Sequence, residues 1–265
     1  MILVVVVQVA AAAVDVTSFV TASDASSQAF KTATLLKTLS INSLITGESG
    51  VGKKSLARYI LPDAQIIDAS EFDHILLALE NASEIIISNL ENSPNLIRLI
   101  KAIQDNNVRV IATAKSSFFD EKIDDLFSLK FDIPPLSHRP EDIDVLVKIF
   151  VKEASLLFNS HEKFDFKNFR PDVSKNADSL RRQVMVSCLL QDIKDVELID
   201  IMDNYLYSRL GSNSDYRNFL YLYEVPLIKS GLRKFKSQLK LADKLGLNRN
   251  TLRKKISDNK QYIQG

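Results

Sequence analysis

Tryptophan is absent from this 265-residue chain, and cysteine occurs once, at Cys188. A single thiol excludes an internal disulfide and suits a reducing compartment, so a cytoplasmic protein is expected. The histidines, His74, His138 and His161, stand far apart, and no His, Cys or carboxylate group has metal-ligand spacing. His138, beside Arg139 and Glu141, reads as part of a structural loop. Beyond the apolar N-terminus no tract is low in complexity, and there is no internal repeat. That N-terminus, residues 1–14, has no Lys or Arg before Lys31, so it lacks the charged start of a secretion signal. It is also too short to span a bilayer. A buried strand rich in β-branched residues is expected there, and no membrane association.

Net charge is nearly absent as well, at +1, but the balance hides an asymmetry. Residues 229–265 hold eleven Lys or Arg and two acidic residues, a net of +9, which leaves −8 for the preceding 228 residues. Such a basic tail is the electrostatic footprint of a polyanion partner. Within it lies LKLADKLGLNRNTLRKKI, residues 239–256. Leu239, Ala242 and Leu245 recur at helical spacing, Gly246 stands where a positive φ ends a helix, and Asn248 suits an N-cap. The next helix would turn Leu252 and Ile256 inward. Asn248, Arg249, Asn250, Thr251, Arg253, Lys254 and Lys255 would then face or flank a DNA groove, as a helix-turn-helix requires. The plainer alternative is a basic amphipathic helix on a solvated face, but it leaves the placement of small, Gly and apolar positions unexplained. Phe219, Tyr221 and Tyr223 upstream read as core or dimer packing.

With 46% apolar and 25% charged residues, one large and one small domain are expected. Short β-branched runs at Leu44 to Thr46, Ile66 to Ile67, Ile85 to Ile87 and Val108 to Ala112 alternate with helical patterns. Those patterns lie around Lys53 to Ile60, Phe72 to Leu79 and Asn95 to Gln104, which predicts an α/β fold with a parallel sheet. From Arg139 the pattern turns helical, with Ile143, Leu146, Val147 and Phe150 on one face. The expected division is an α/β core over 1–138, a helical lid over 139–210, a linker at 211–215 and an all-α DNA-binding domain over 216–265. Between the first strand and its helix sits GESGVGKK. Gly47, Glu48, Ser49, Gly50, Val51, Gly52, Lys53 and Lys54 there have the composition of a loop whose amides and lysine hold phosphates. Lys54 occupies the position where a magnesium-binding Ser or Thr is usual.

NRNTLRKK after ADKLG resembles the Fis-type domain that ends bacterial enhancer-binding activators of sigma-54, the NtrC-like family. YEVPL at Tyr223 to Leu227 is similar to the start of that domain. The turn at Lys234 to Ser237 lacks glycines that family members often carry. LITGESGVGKKSLARYI resembles the AAA+ P-loop segment of the same family, FVTASDASSQAFKTA the helix before it, VRVIATAKS the sensor I strand and IPPLSHRPEDI the LPPLRER-EDI segment. The resemblance spans roughly Phe19 to Ile256 and implies an AAA+-like P-loop sheet with a helical lid, binding ATP or ADP. It also implies a C-terminal homodimer on double-stranded DNA. NADSLRRQV resembles the sensor II segment and puts Arg181 in the nucleotide set.

The departures from that family concern catalysis. Only Glu71 to Ser83 separate Ser70 from the next strand, so the sigma-54-gripping GAFTGA loop has no room, and direct sigma-54 contact is not expected. Ser88 and Asn89 fall where the Walker B carboxylates hold magnesium and polarise water, and Lys115 falls at the sensor I asparagine. No arginine lies between Ser116 and His138 to act on a neighbouring subunit. Binding residues remain while hydrolytic ones are missing. The expectation is therefore a DNA-binding transcriptional regulator that binds nucleotide, is not an ATPase, and leaves the place of magnesium open. Two alternatives stand beside it, a working AAA+ ATPase that remodels a protein partner and a nucleoid-type architectural DNA-binding protein.

Overall fold

The computed structural model describes residues 19–118, 120–158, 164–167, 169–191 and 193–263. The strand expected within residues 1–14 and His161 lie outside the described residues. The chain forms two compact units, Met1–Asp192 and Ile193–Gly265. Residues 193–210, expected at the end of the lid, therefore group with the second unit. GSNSD forms a turn in which Asp215 accepts the Gly211 and Ser212 amides at 2.7 and 2.9 Å.

Among the described residues of the first unit five strands alternate with helices. They are β1 (Ser43–Gly47), β2 (Gln65–Asp68), β3 (Glu84–Ser88), β4 (Arg109–Ala114) and β5 (Leu129–Ile133). They pair in parallel in the order β2-β3-β4-β1-β5. Period-2 alternation splits the apolar residues between two cores. Leu44, Ile85, Ile87, Val110 and Ala112 pack on one side with α3 (Phe72–Asn81) and α4 (Leu96–Asn106). Ile45, Ile86 and Ile111 pack on the other with α1 (Asp24–Leu36) and α2 (Lys53–Ile60). Strands buried on both faces read as continuous runs of Ile and Val, as a covered parallel sheet demands. β5 was not anticipated from the sequence. It is an edge strand whose Lys130 and Asp132 alternate with Leu129, Phe131 and Ile133, so no β-branched run announces it. Between β2 and β3 lies α3 alone, with no projecting loop. α5 (Pro140–Phe158) and α6 (Asn176–Leu189) close a third core around Phe150, Leu180 and Val184. Among the described residues no helix is long and apolar enough to cross a membrane.

The second unit is all-α, with α7 (Asp195–Tyr207), α8 (Asp215–Phe219), α9 (Tyr221–Phe235), α10 (Gln238–Lys244), α11 (Arg249–Asp258) and α12 (Lys260–Ile263). Tyr221 stacks on Tyr262 with ring centroids 5.0 Å apart, whereas Tyr223 is exposed. The core is Ile228, Leu241, Ala242 and Leu252. Leu241, not Leu239, occupies the inward face of α10; Leu239 is 62% exposed. The shift follows from the crossing of α9, where Gly231 admits the Leu241 side chain. A Cβ at Gly231 would meet Leu241 Cδ1 at 2.2 Å. Gly231→Val gains at most about a few tenths of a kcal/mol in helix propensity, against about 1 to 3 kcal/mol for overpacking. A lower denaturation midpoint, followed by circular dichroism, is expected for this variant. An unchanged midpoint would mean that α9 and α10 are not packed this tightly.

Candidate functional site

The loop Gly47 to Lys54 is set by the step from β1 into α2. Gly47, Gly50 and Gly52 have φ of 148°, 78° and 104°, so the chain wraps back before α2 begins at Lys53. At Gly50 a Cβ would lie 2.7 Å from the Lys175 carbonyl and 2.9 Å from the Asp178 carboxylate, so only glycine fits. Lys53 is buried, and its Nζ donates to the Gly47 and Glu48 carbonyls at 2.6 Å each. Burial pushes its ammonium below the usual lysine range, against the opposing charges of Glu91 and Asp132, with Lys115 and Lys54 adding to the fall. Lys54 is exposed.

Three residues that the sequence did not mark as functional fix this loop. Asn176, in the left-handed region at φ 52°, donates from Nδ2 to Glu48 Oε2 and to the Ser49 carbonyl, both at 2.9 Å. Its Oδ1 accepts the Leu136 amide at 2.6 Å. Arg139, 3% exposed, donates from Nη2 to the Val51 carbonyl at 3.1 Å and from Nη1 to Asp142 at 3.3 Å. Asp142 Oδ1 accepts the Ala22 and Ser23 amides, both at 2.8 Å, and the Ser26 hydroxyl at 3.0 Å. Its Oδ2 accepts the Ser23 hydroxyl at 3.2 Å. Desolvation lowers the Arg139 guanidinium while Asp142 opposes the change. His138, at the end of a short 3-10 turn, is exposed.

Above the loop opens a cleft of about 460 Å³. Ser49 to Ser55 line it together with the apolar Phe19, Val20, Leu146, Ile149 and Phe150. Arg181, from α6, also lines it, held by both Glu153 oxygens. That hydrogen bonding raises the already high arginine range despite partial burial. The volume and the mixture of apolar wall and few polar groups suit a small ligand.

Of the two residues expected at the Walker B positions, Ser88 is buried at the end of β3, and Asn89 follows in the left-handed region at φ 56°. Asn89 Nδ2 donates at 2.6 Å to Asp68, which ends the neighbouring β2. Burial would raise the Asp68 carboxyl, but hydrogen bonds from Ser70 and Asn89 and the charge of Lys54 outweigh it and lower the group. This carboxylate is thus occupied by protein donors and is not among the cleft-lining residues. Lys115 is exposed and pairs with Glu91 at 3.8 Å. Among the described residues no group of three or more His, Cys, Asp or Glu can hold a metal ion.

In the second unit Gly246, at φ 62°, ends α10. The Leu247 amide reaches the Ala242 carbonyl at 2.9 Å and the Gly246 amide reaches Asp243 at 3.1 Å, which turns the chain sharply into α11. Asn248 caps α11, accepting the Asn250 amide at 2.9 Å. Asn248, Arg249, Asn250, Thr251, Arg253 and Lys254 are all exposed. Lys255 instead turns toward α9 and pairs with Glu224.

No family model and no curated protein matches the chain. Solved structures do. NtrX from Brucella abortus in complex with ADP has a TM-score of 0.59 at 18% identity, over 92% of this chain and 69% of that one. Another structure of NtrX from Brucella abortus gives 0.55 at 16% identity, over 90% and 68%. NtrX in complex with ATP gives 0.50 at 19%, over 90% and 68%. At such identities the likeness is one of fold. The parallel five-stranded sheet of the first unit, with its flanking helices, has the AAA+ α/β fold.

Proposed function

We propose that the protein is a DNA-binding transcriptional regulator whose AAA+ unit binds ATP or ADP and does not hydrolyse it. The observation that carries the DNA half is the exposed set Asn248, Arg249, Asn250, Thr251, Arg253 and Lys254, on a helix capped and crossed by a second short helix. These side chains are donors and acceptors suited to base edges and phosphates, and they sit in the segment of net +9. A regulator reading two half-sites needs two copies. α7 supports a homodimer, for no residue on it is buried, and Val196, Leu198, Ile199, Ile201 and Tyr207 are exposed.

The nucleotide half rests on Gly47 to Lys54, with Arg181 reaching the same cleft. The Brucella NtrX complexes with ADP and ATP support it. Hydrolysis needs charges that orient water and stabilise the transferred phosphoryl group. Ser88 and Asn89 carry none, and Asp68 is engaged by Asn89. Millimolar ATP should raise the melting temperature of the intact chain by preferring the folded state, and Lys53→Ala should abolish the rise. Phosphate release should stay at background even at high protein concentration. Turnover above about 1 s⁻¹ that vanished in Lys53→Ala would establish a working ATPase instead. Absence of any thermal shift would make the loop a structural relic.

A further inference from the structure

A carboxylate stands beside the loop Gly47 to Lys54, where a site for phosphates has no need of one. Asp178 lines the cleft and is exposed. It lies against Gly50, so close that a Cβ on that glycine would come within 2.9 Å of Asp178 Oδ2. α6 is docked on the loop at this point. The Ala177 amide donates to the Gly50 carbonyl at 3.1 Å, and Asn176 Nδ2 donates to the Ser49 carbonyl at 2.9 Å. Asp178, in the first turn of α6, is therefore carried by a backbone tied to the loop. The other charges of the cleft are already matched. Arg139 is held by Asp142, and Arg181, one turn along α6 from Asp178, is held by both oxygens of Glu153. Lys53 directs its ammonium to the Gly47 and Glu48 carbonyls. With Asp178 set against one of the two lysines, a single net positive charge remains.

We infer that Asp178 is a specificity-determining residue that makes this cleft favour a nucleoside diphosphate over the triphosphate. The inference rests on the nucleotide reading above and adds to it the class of nucleotide retained. A carboxylate next to bound phosphates opposes them, and the penalty grows with the charge of the ligand. A third phosphoryl group therefore suffers more than the first two. Arg181 cannot move over to offset it without stranding Glu153, which is only 7% exposed and depends on that arginine through both oxygens. Selection by a repulsive group needs no further contact to the favoured ligand.

The test is calorimetric titration of the intact chain with adenosine, ADP and ATP, with a chelator present so that no metal offsets the phosphate charge. The unaltered protein should bind ADP about threefold to tenfold more tightly than ATP. Asp178→Asn keeps the shape and removes the charge. It should tighten ATP about tenfold, tighten ADP by less and leave adenosine unchanged. Asp178→Glu should keep the preference for ADP. ATP bound as tightly as ADP by the unaltered protein would overturn the role of Asp178 while leaving nucleotide binding intact. A gain in Asp178→Asn that is absent, or equal for adenosine, ADP and ATP, would overturn it too, because an effect of charge must scale with the charge of the ligand. If neither ADP nor ATP binds either protein, the nucleotide reading falls and this assignment with it.

Discussion

Asp142→Ala should destabilise the first unit by about 3 to 5 kcal/mol, the usual cost of removing one partner of a buried ion pair. Asp142 is fully buried and serves five donors from two places in the chain, namely the Ala22 and Ser23 amides with the Ser23 and Ser26 hydroxyls, and Arg139. Its removal leaves the Arg139 charge without a counterion and the start of α1 without its acceptor. Asp142→Asn keeps one acceptor oxygen and should cost less. Pairing Asp142→Ala with Arg139→Met should recover part of the loss, because the stranded charge disappears with its partner. Denaturant titration followed by circular dichroism reads all four proteins. A cost below about 1 kcal/mol for Asp142→Ala, in the range of an exposed pair, would mean that this network does not hold α1, α5 and the phosphate loop together.

Replacing Arg253 and Lys254 together with Ala should weaken duplex binding by the intact chain far more than either change alone. Each contact to a base edge is worth about 1 to 3 kcal/mol, so the pair is expected to cost at least about thirtyfold in affinity if both read bases. A phosphate contact behaves differently. Its loss lowers the slope of log K against log salt by about one unit and weakens all sequences alike. Both side chains are exposed on α11, whereas Lys255 pairs with Glu224, so Lys255→Ala should act on stability before it acts on DNA affinity. Anisotropy titrations at two salt concentrations separate these cases. Unchanged affinity in the double variant would remove α11 as the contact surface.

The features legible in the sequence are those encoded by neighbours along the chain. The turn between β1 and α2 declares itself by three glycines within six residues, and the strands β1 to β4 by short β-branched runs. Gly246 and Asn248 mark the turn between α10 and α11, where each acts on its own backbone. Illegible features depend on distant partners. Asn176 reaches Glu48 across 128 positions, and Asp142 reaches Ser23 across 119, a relation that no spacing rule contains. Leu239 and Leu241 are equally apolar, and only the hole left by Gly231 decides which is buried. Lys255 has the composition of a DNA contact, and its engagement by Glu224 is visible only once α9 crosses α11. β5 was missed for a milder reason, since its alternation of Leu129, Phe131 and Ile133 with polar residues is the ordinary mark of an edge strand.

The proposed regulator must choose its DNA, and selection from a random duplex pool by the intact chain tests that most directly. Two exposed copies of α11 related by a two-fold axis should retain duplexes with paired half-sites centred about one helical turn, or a multiple of it, apart. The enriched positions should lose their preference in the Arg253→Ala and Lys254→Ala double variant. Retention of duplexes with no shared sequence, or only a general bias to AT-rich DNA, would instead indicate an architectural protein that binds through phosphates and deformability. Failure to retain any duplex at low salt would contradict the account outright.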